Sequence, residues 1–279
     1  MGTSSGYKGS KSSSWRIARQ LLAELNESDT NQGVGTDSQP PPDQHVLPLA
    51  SALATALAQD NPAATGPALN FPISGLLPRR GHGGSGGGGG GGASGGGRAG
   101  RSGSKSTREI TKGAARGATA IKAAYGLLSG DATELNKLGL NLNELRSLTP
   151  RQQSMKIADA VLGDANHPDD FALKRATVEH LKNILLAEQP PTVEDTVRSF
   201  VAEWIFQLGL VELRAENNEQ QMTESQIKQS EQKLQRWLKV RVGQMPFPNP
   251  QGLTTQQFSN ATAKLTADAI NLIKAMQQR

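Results

Sequence analysis

The chain has 279 residues, of which 35% are hydrophobic and 4% aromatic, with 31 glycines and 15 prolines. That apolar content is too small to offset the entropy of ordering every residue, so part of the chain is expected to remain unfolded. Cysteine is absent, which excludes disulfides, thiolate nucleophiles and thiolate metal sites, and suits a reducing cytoplasm.

The net charge of +5 is unevenly placed: residues 1–120 hold 12 Lys and Arg against 7 Asp and Glu, while residues 121–279 hold 18 of each. A basic leading half can attract phosphate backbones, acidic proteins or anionic lipid. No run of about 18 apolar residues is present, so no membrane span is expected. The N-terminus lacks the layout of a secretory signal. A myristoylation site would need Ser or Thr where Gly6 stands.

In chain order, residues 1–13 read as a small, polar, flexible tail. Trp15, Ile17, Leu21, Leu22 and Leu25 then fall at near-helical spacing behind Ser12 to Ser14, which predicts a short amphipathic helix over 14–26. Alone in water so short a helix is marginal, and it needs a surface to dock on, either its own C-terminal domain or another protein. Residues 27–105 read as a disordered Pro/Gly-rich linker, with Pro40, Pro41 and Pro42 in succession and an almost pure Gly/Ser tract from Gly81 to Gly97. Within it, the Ala/Leu-rich stretch Leu47 to Leu57 is a candidate second short helix.

A helical domain is expected over 106–245. Ser106 and Glu109 have capping-box spacing, and Ile110, Ala114, Ile121, Ala124 and Leu128 continue a stripe toward Gly130. Asn141 and Thr149, the latter followed by Pro150, look like further helix starts, and Gly163 like a helix stop. Pro168 opens another helix to about Glu188. Val197, Phe200, Val201, Trp204, Ile205, Leu208 and Val211 give the widest apolar face, on a helix over about 193–216. Thr223 heads the next helix. Residues 246–279 read as a C-terminal tail carrying a last helix, about 254–277, with Phe258, Leu265, Ile270, Ile273 and Met276, which can pack on the domain. No sustained period-two pattern appears, so the predicted fold is all-α: a C-terminal helical bundle behind a long, mostly disordered N-terminal region.

Catalytic motifs are hard to find. His45, His82, His167 and His180 show no HxxxH or HExxH spacing, so no metal or other cofactor is expected. Asp169–Asp170 and Glu194–Asp195 sit in predicted first turns, where carboxylates favour the positive end of a helix dipole, and adjacent helical residues do not face one another. Gly103, Ser104, Lys105 and Ser106 imitate the end of a phosphate loop, but no strand precedes them. Gly113 and Gly117 form a GxxxG pair on the first core helix, read as close helix packing. Arg79, Arg80, Arg98, Arg101, Lys105, Arg108, Lys112 and Arg116 form a basic run opposed only by Glu109. Such a run could follow a nucleic-acid backbone through Arg98, Arg101, Lys105 and Arg108, although no aromatic residue is interleaved for stacking.

The order of these parts carries a resemblance. A Met-Gly-Thr-Ser-Ser start, a Gly/Ser/Lys run leading to Trp15, a Pro-rich linker, an Arg-containing poly-Gly tract and an all-helical C-terminal domain together resemble the B component of the bacterial Qat anti-phage defence systems. The resemblance implies a non-catalytic subunit encoded beside an ATPase, a TatD-like nuclease and an enzyme similar to 7-cyano-7-deazaguanine synthase. It further implies that the last of these is the partner of this chain, and that the chain is its candidate protein substrate. The residues fit such a role. Removal of Met1 would leave a free α-amine on Gly2, with an ordinary pKa near 8, partly neutral and nucleophilic. Thr3, Ser4, Ser5 and Gly6 are small enough to thread into an active site, and Trp15 and Leu22 are candidate anchors outside it. The alternative is a nucleic-acid adaptor working through the basic linker.

Overall fold

The computed structural model describes residues 12–30, 43–59, 107–214 and 224–276. Helix accounts for 83% of what is described, and no strand occurs among these residues. The described residues form ten helices in order: α1 Ser13–Thr30, α2 Asp43–Gln59, α3 Thr107–Ser129, α4 Ala132–Lys137, α5 Leu142–Arg146, α6 Pro150–Leu162, α7 Pro168–Leu186, α8 Val193–Arg214, α9 Glu224–Gly243 and α10 Thr255–Ala275. None of them is long and apolar enough to cross a membrane.

Helix α3 has the most neighbours. It packs along α10, its most extensive partner, and also against α6, α7 and α8. Its composition explains this: Gly113, Ala114, Gly117, Ala118, Ala120 and Ala124 are buried and keep the helix thin. The aromatic side chains of α8 fill the space these small residues leave. Trp204 lies over Gly113, donating its indole N–H to the Ile110 carbonyl at 3.1 Å, and the Phe200 ring occupies the place of a side chain at Gly117. The GxxxG pair is thus a seat for two rings. On another side of α3, the buried Thr119 hydroxyl meets Ser259 Oγ of α10 at 2.9 Å, so a polar pair is satisfied within the apolar seam.

Helix ends form where the sequence offers caps. Asn141 accepts from the backbone N–H groups of Asn143 and Glu144, and Thr149 makes a full capping box with Gln152, with Pro150 at the first helical position. Gly163 ends α6 at φ 69°, a left-handed conformation that costs glycine little. Thr254 and Gln257 form a second capping box at the start of α10. The Asp131 cap of the short helix α4 was not anticipated, because six residues give too little periodicity to read.

Three boundaries differ from the sequence reading. The first helix runs to Thr30 rather than ending near 26. The span 27–105 is not wholly linker, because 43–59 is α2, with Val46, Leu49, Ala50, Leu53, Ala54 and Leu57 all buried. Its run of Leu and Ala is apolar on nearly every side, which suits a helix surrounded by others. Finally, the boundary at 245 does not set the last helix apart, in keeping with its packing on the domain: α10 buries Phe258, Leu265, Ala269, Ile270 and Ile273 and lies along both α3 and α2. Ser106, Thr223 and the Gly81–Gly97 tract lie outside the described residues.

Helices α1 and α2 join this core, with Trp15, Leu22, Leu49 and Leu53 in the same apolar cluster as α3 and α8. They pack against each other, α1 also meets α8 and α9, and α2 meets α9 and α10. A Cβ built on Gly209 of α8 would lie 2.4 Å from Leu53 Cδ1, so the absent side chain is what admits α2. The Thr107 hydroxyl, at the start of α3, reaches the Leu57 carbonyl near the end of α2 at 3.4 Å.

Candidate functional site

Of the residues singled out for partner binding, Gly2, Thr3, Ser4, Ser5 and Gly6 lie outside the described residues, as do Arg98, Arg101 and Lys105. Trp15 and Leu22 are described, and their surroundings revise the reading made of them. Trp15 is 0% exposed and Leu22 1% exposed, both within the chain's own core. They therefore anchor α1 to this protein rather than presenting a surface to another. Of the two docking surfaces open to α1 on sequence grounds, its own helical domain is the one it occupies. Among the described side chains of α1, the large apolar one left outside is Ile17, at 47% exposure, flanked by the exposed Arg16 and Gln20.

The consequence for the tail is geometric. Burial of Trp15, Ala18, Leu22 and Leu25 on one face fixes the first turn of α1 against the body of the protein. Each large side chain so buried contributes about 1.5–3 kcal/mol. Residues 1–11 precede a turn that buried side chains hold against the core.

The basic run is divided by the fold. Arg108 is exposed in the first turn of α3. Arg116, two turns further on, is turned inward: it donates to the Leu162 carbonyl and, at 3.3 Å, to that of Val161, closing the C-terminal end of α6. Burial lowers its pKa, opposed by the charges of Asp170 and Glu109. The spacing of cations along the sequence could not reveal this, since Arg116 resembles its neighbours until the position of α6 is known.

Sequence reasoning missed a cleft of about 320 Å³ where the end of α3 faces α4 and the 250–253 loop, lined among others by Lys122, Tyr125, Glu134, Gln251 and Phe258. Its polar groups are engaged with the protein. Lys122 donates to the Leu253 carbonyl, and the Tyr125 hydroxyl donates to the Pro191 carbonyl at 2.6 Å and meets Thr196 Oγ1 at 2.8 Å. Glu134 accepts from Lys137 at 2.7 Å and from the Thr255 hydroxyl. Burial lowers the Lys122 pKa and raises that of Tyr125. Burial also pushes Glu134 upward, but its bonds to Lys137 and Thr255 and the nearby lysine charges outweigh it, so the carboxyl is held below its ordinary value. The arrangement ties two loops to α3 and joins α4 to the start of α10. No signal in the sequence marks it, because its residues come from five separated segments.

His180 is the other group with chemical potential. Its Nδ1 lies 2.8 Å from the Ala176 carbonyl, so this nitrogen carries the proton, which leaves Nε2 to accept from Ser199 Oγ at 3.2 Å. The connectivity is that of a nucleophile and its base. The ring, however, is buried edge-on against Phe200, with centroids 5.8 Å apart, and the pair serves to lock α7 to α8. Among the described residues, no group of three or more His, Asp or Glu side chains is placed to hold a metal ion.

The described residues thus define a predominantly helical protein in which His180 and the groups of the Lys122–Glu134 cleft are held by internal hydrogen bonds. Comparison with known proteins yields no matching family model, no matching curated protein and no matching solved structure.

Proposed function

We propose that this chain is a non-catalytic subunit of a bacterial anti-phage defence complex of the Qat type. Its helical bundle is a platform, and its N-terminal tail is the part a 7-cyano-7-deazaguanine-synthase-like partner binds and modifies at Gly2. The observation that carries the reading is the burial of Trp15, which holds the turn after the tail against the core. A short, small-residue peptide leaving a fixed point can enter an active site without the platform rearranging. The free α-amine that follows loss of Met1 is its one nucleophile of suitable pKa.

Burial of Trp15 and Leu22 changes what the partner is expected to touch. The contact falls on residues 2–6 and on the outer side of α1 at Arg16, Ile17 and Gln20, rather than on the two buried anchors. The ATPase and TatD-like nuclease are proposed as further members of the same assembly. The test is the intact mass and N-terminal peptide map of the chain co-expressed with a deazaguanine-synthase-like enzyme and its precursor. A mass adduct on Gly2, lost when a residue is inserted between Met1 and Gly2 to displace the amine, is the expected result. An unmodified Gly2 in the presence of active enzyme and precursor overturns the substrate role.

A further inference from the structure

Helix α9 carries Lys228, Lys233, Arg236, Lys239 and Arg241 against only Glu224 and Glu231. The fold sorts these charges. Glu231 is turned inward at 8% exposure. Among the described side chains of this helix, the exposed ones are Ser225, Lys228, Gln229, Gln232, Arg236, Lys239 and Val240, so every charge on the outer face is positive. At 3.6 residues per turn, Lys228, Gln232, Arg236 and Lys239 fall within about 80° of one another, and the row is about 16 Å long. Over that length one strand of a duplex presents roughly five phosphates, at about 3.4 Å of axial rise each.

We infer that the outer face of α9 binds the phosphate backbone of double-stranded nucleic acid. Lys228 and Arg236 supply the main charges. Lys239 adds a third, although it also lies 3.7 Å from Glu203, and Gln229 and Gln232 are neutral donors to phosphate oxygens between them. Such contacts hold a duplex without reading its sequence.

The character of the face selects this occupant. A protein partner would be met by an apolar centre with aromatic side chains, whereas among the described side chains of this helix the large apolar one exposed is Val240, at 52% exposure. A single strand would be held by stacking on exposed rings. The aromatic residue of α9, Trp237, is 5% exposed and lies beneath the Arg241 guanidinium at 5.7 Å, so its ring is occupied. What is left is a row of donors and positive charge, the chemistry that a phosphate backbone complements.

The two assignments rest on different residues, so they fail separately. The experiment is fluorescence anisotropy of the full chain with a labelled duplex of about 20 bp, titrated between about 50 and 200 mM salt. The comparison variant is Lys228→Gln with Arg236→Gln. Both side chains are exposed, so its melting curve should match the parent and confirm folding. The expected result is roughly tenfold weaker binding, and a log–log salt slope shallower by about 2 because two phosphate contacts are lost. A parallel variant, Arg98→Gln with Arg101→Gln and Lys105→Gln, measures the contribution of the linker separately. The inference is overturned if the α9 variant binds duplex as the parent does, or if the parent binds no duplex at all. Tighter binding of poly-glutamate or of single strands than of duplex would also overturn it, assigning the face to another class of partner.

Discussion

Gly117 and Gly126 lie on the same face-rich helix and differ in what a methyl group would meet. A Cβ at Gly117 would stand 2.0 Å from Phe200 Cζ and 2.8 Å from both neighbouring ring carbons, whereas one at Gly126 meets nothing nearer than 3.7 Å. Gly117→Ala must therefore displace a fully buried ring, and a destabilisation of about 1–3 kcal/mol is expected. Gly126→Ala should gain up to about 1 kcal/mol from the helix preference of alanine. Urea unfolding of the two variants, read against the parent, checks both signs at once. His180 supplies a pH dependence at the same scale. Burial above all holds its pKa below the ordinary value, with the Ala176 carbonyl, Glu203 and Glu179 pulling upward and Lys239 downward. The unfolded chain takes up this proton near pH 6.5, and the folded chain does so only at lower pH. Stability is thus complete above about pH 6.5 and falls as the pH drops from there toward the folded value. Melting temperatures measured between pH 7.5 and 5.5 should decline, and His180→Gln should flatten that part of the curve.

At the scale of elements, the informative feature is the seat of α2. Leu53 fills the gap that Gly209 leaves on α8, with its Cδ1 2.4 Å from where a Cβ would be. Gly209→Val should lift α2 from this groove while the contacts of α3 with α6 and α7, which lie elsewhere, persist. Hydrogen exchange followed by mass spectrometry should show faster exchange across 43–59 and unchanged protection across 150–162. Equal protection of both segments would mean that another contact holds α2. The same pair shows why this element was only half legible in the sequence. Leu47 to Leu57 displays helix-forming residues, but its apolar side chains point in all directions and reveal no face. Nothing in a run of Ala and Leu says that a glycine 156 positions later than Leu53 makes room for it. The caps, by contrast, were legible because they are local: Asn141, Thr149 and Gly163 act within a few residues of themselves.

For the whole molecule, periodicity and breakers were enough to give the all-α class and the positions of α3, α6, α7, α8 and α10. They could not show that α10 lies along α3, or that Arg116 serves α6, because those relations join segments distant in the chain. Trp15 illustrates the limit for function. Its spacing with Leu22 marks an apolar face in the sequence, but whether that face meets another protein or its own is decided by residues of α8 and α9. The arrangement has a consequence for biosynthesis. Helices α1 and α2 leave the ribosome well before α8, α9 and α10, on which they rest. At a synthesis rate of about 5–20 residues per second, Trp15, Leu49, Leu53 and Leu57 await their partners for roughly 10 to 40 s. During that interval the nascent chain displays a greasy hairpin with nothing to cover it, a natural client for the chaperones that attend translation. Helices α1 and α2, made well before the helices that cover them, reach their place only after those helices are made.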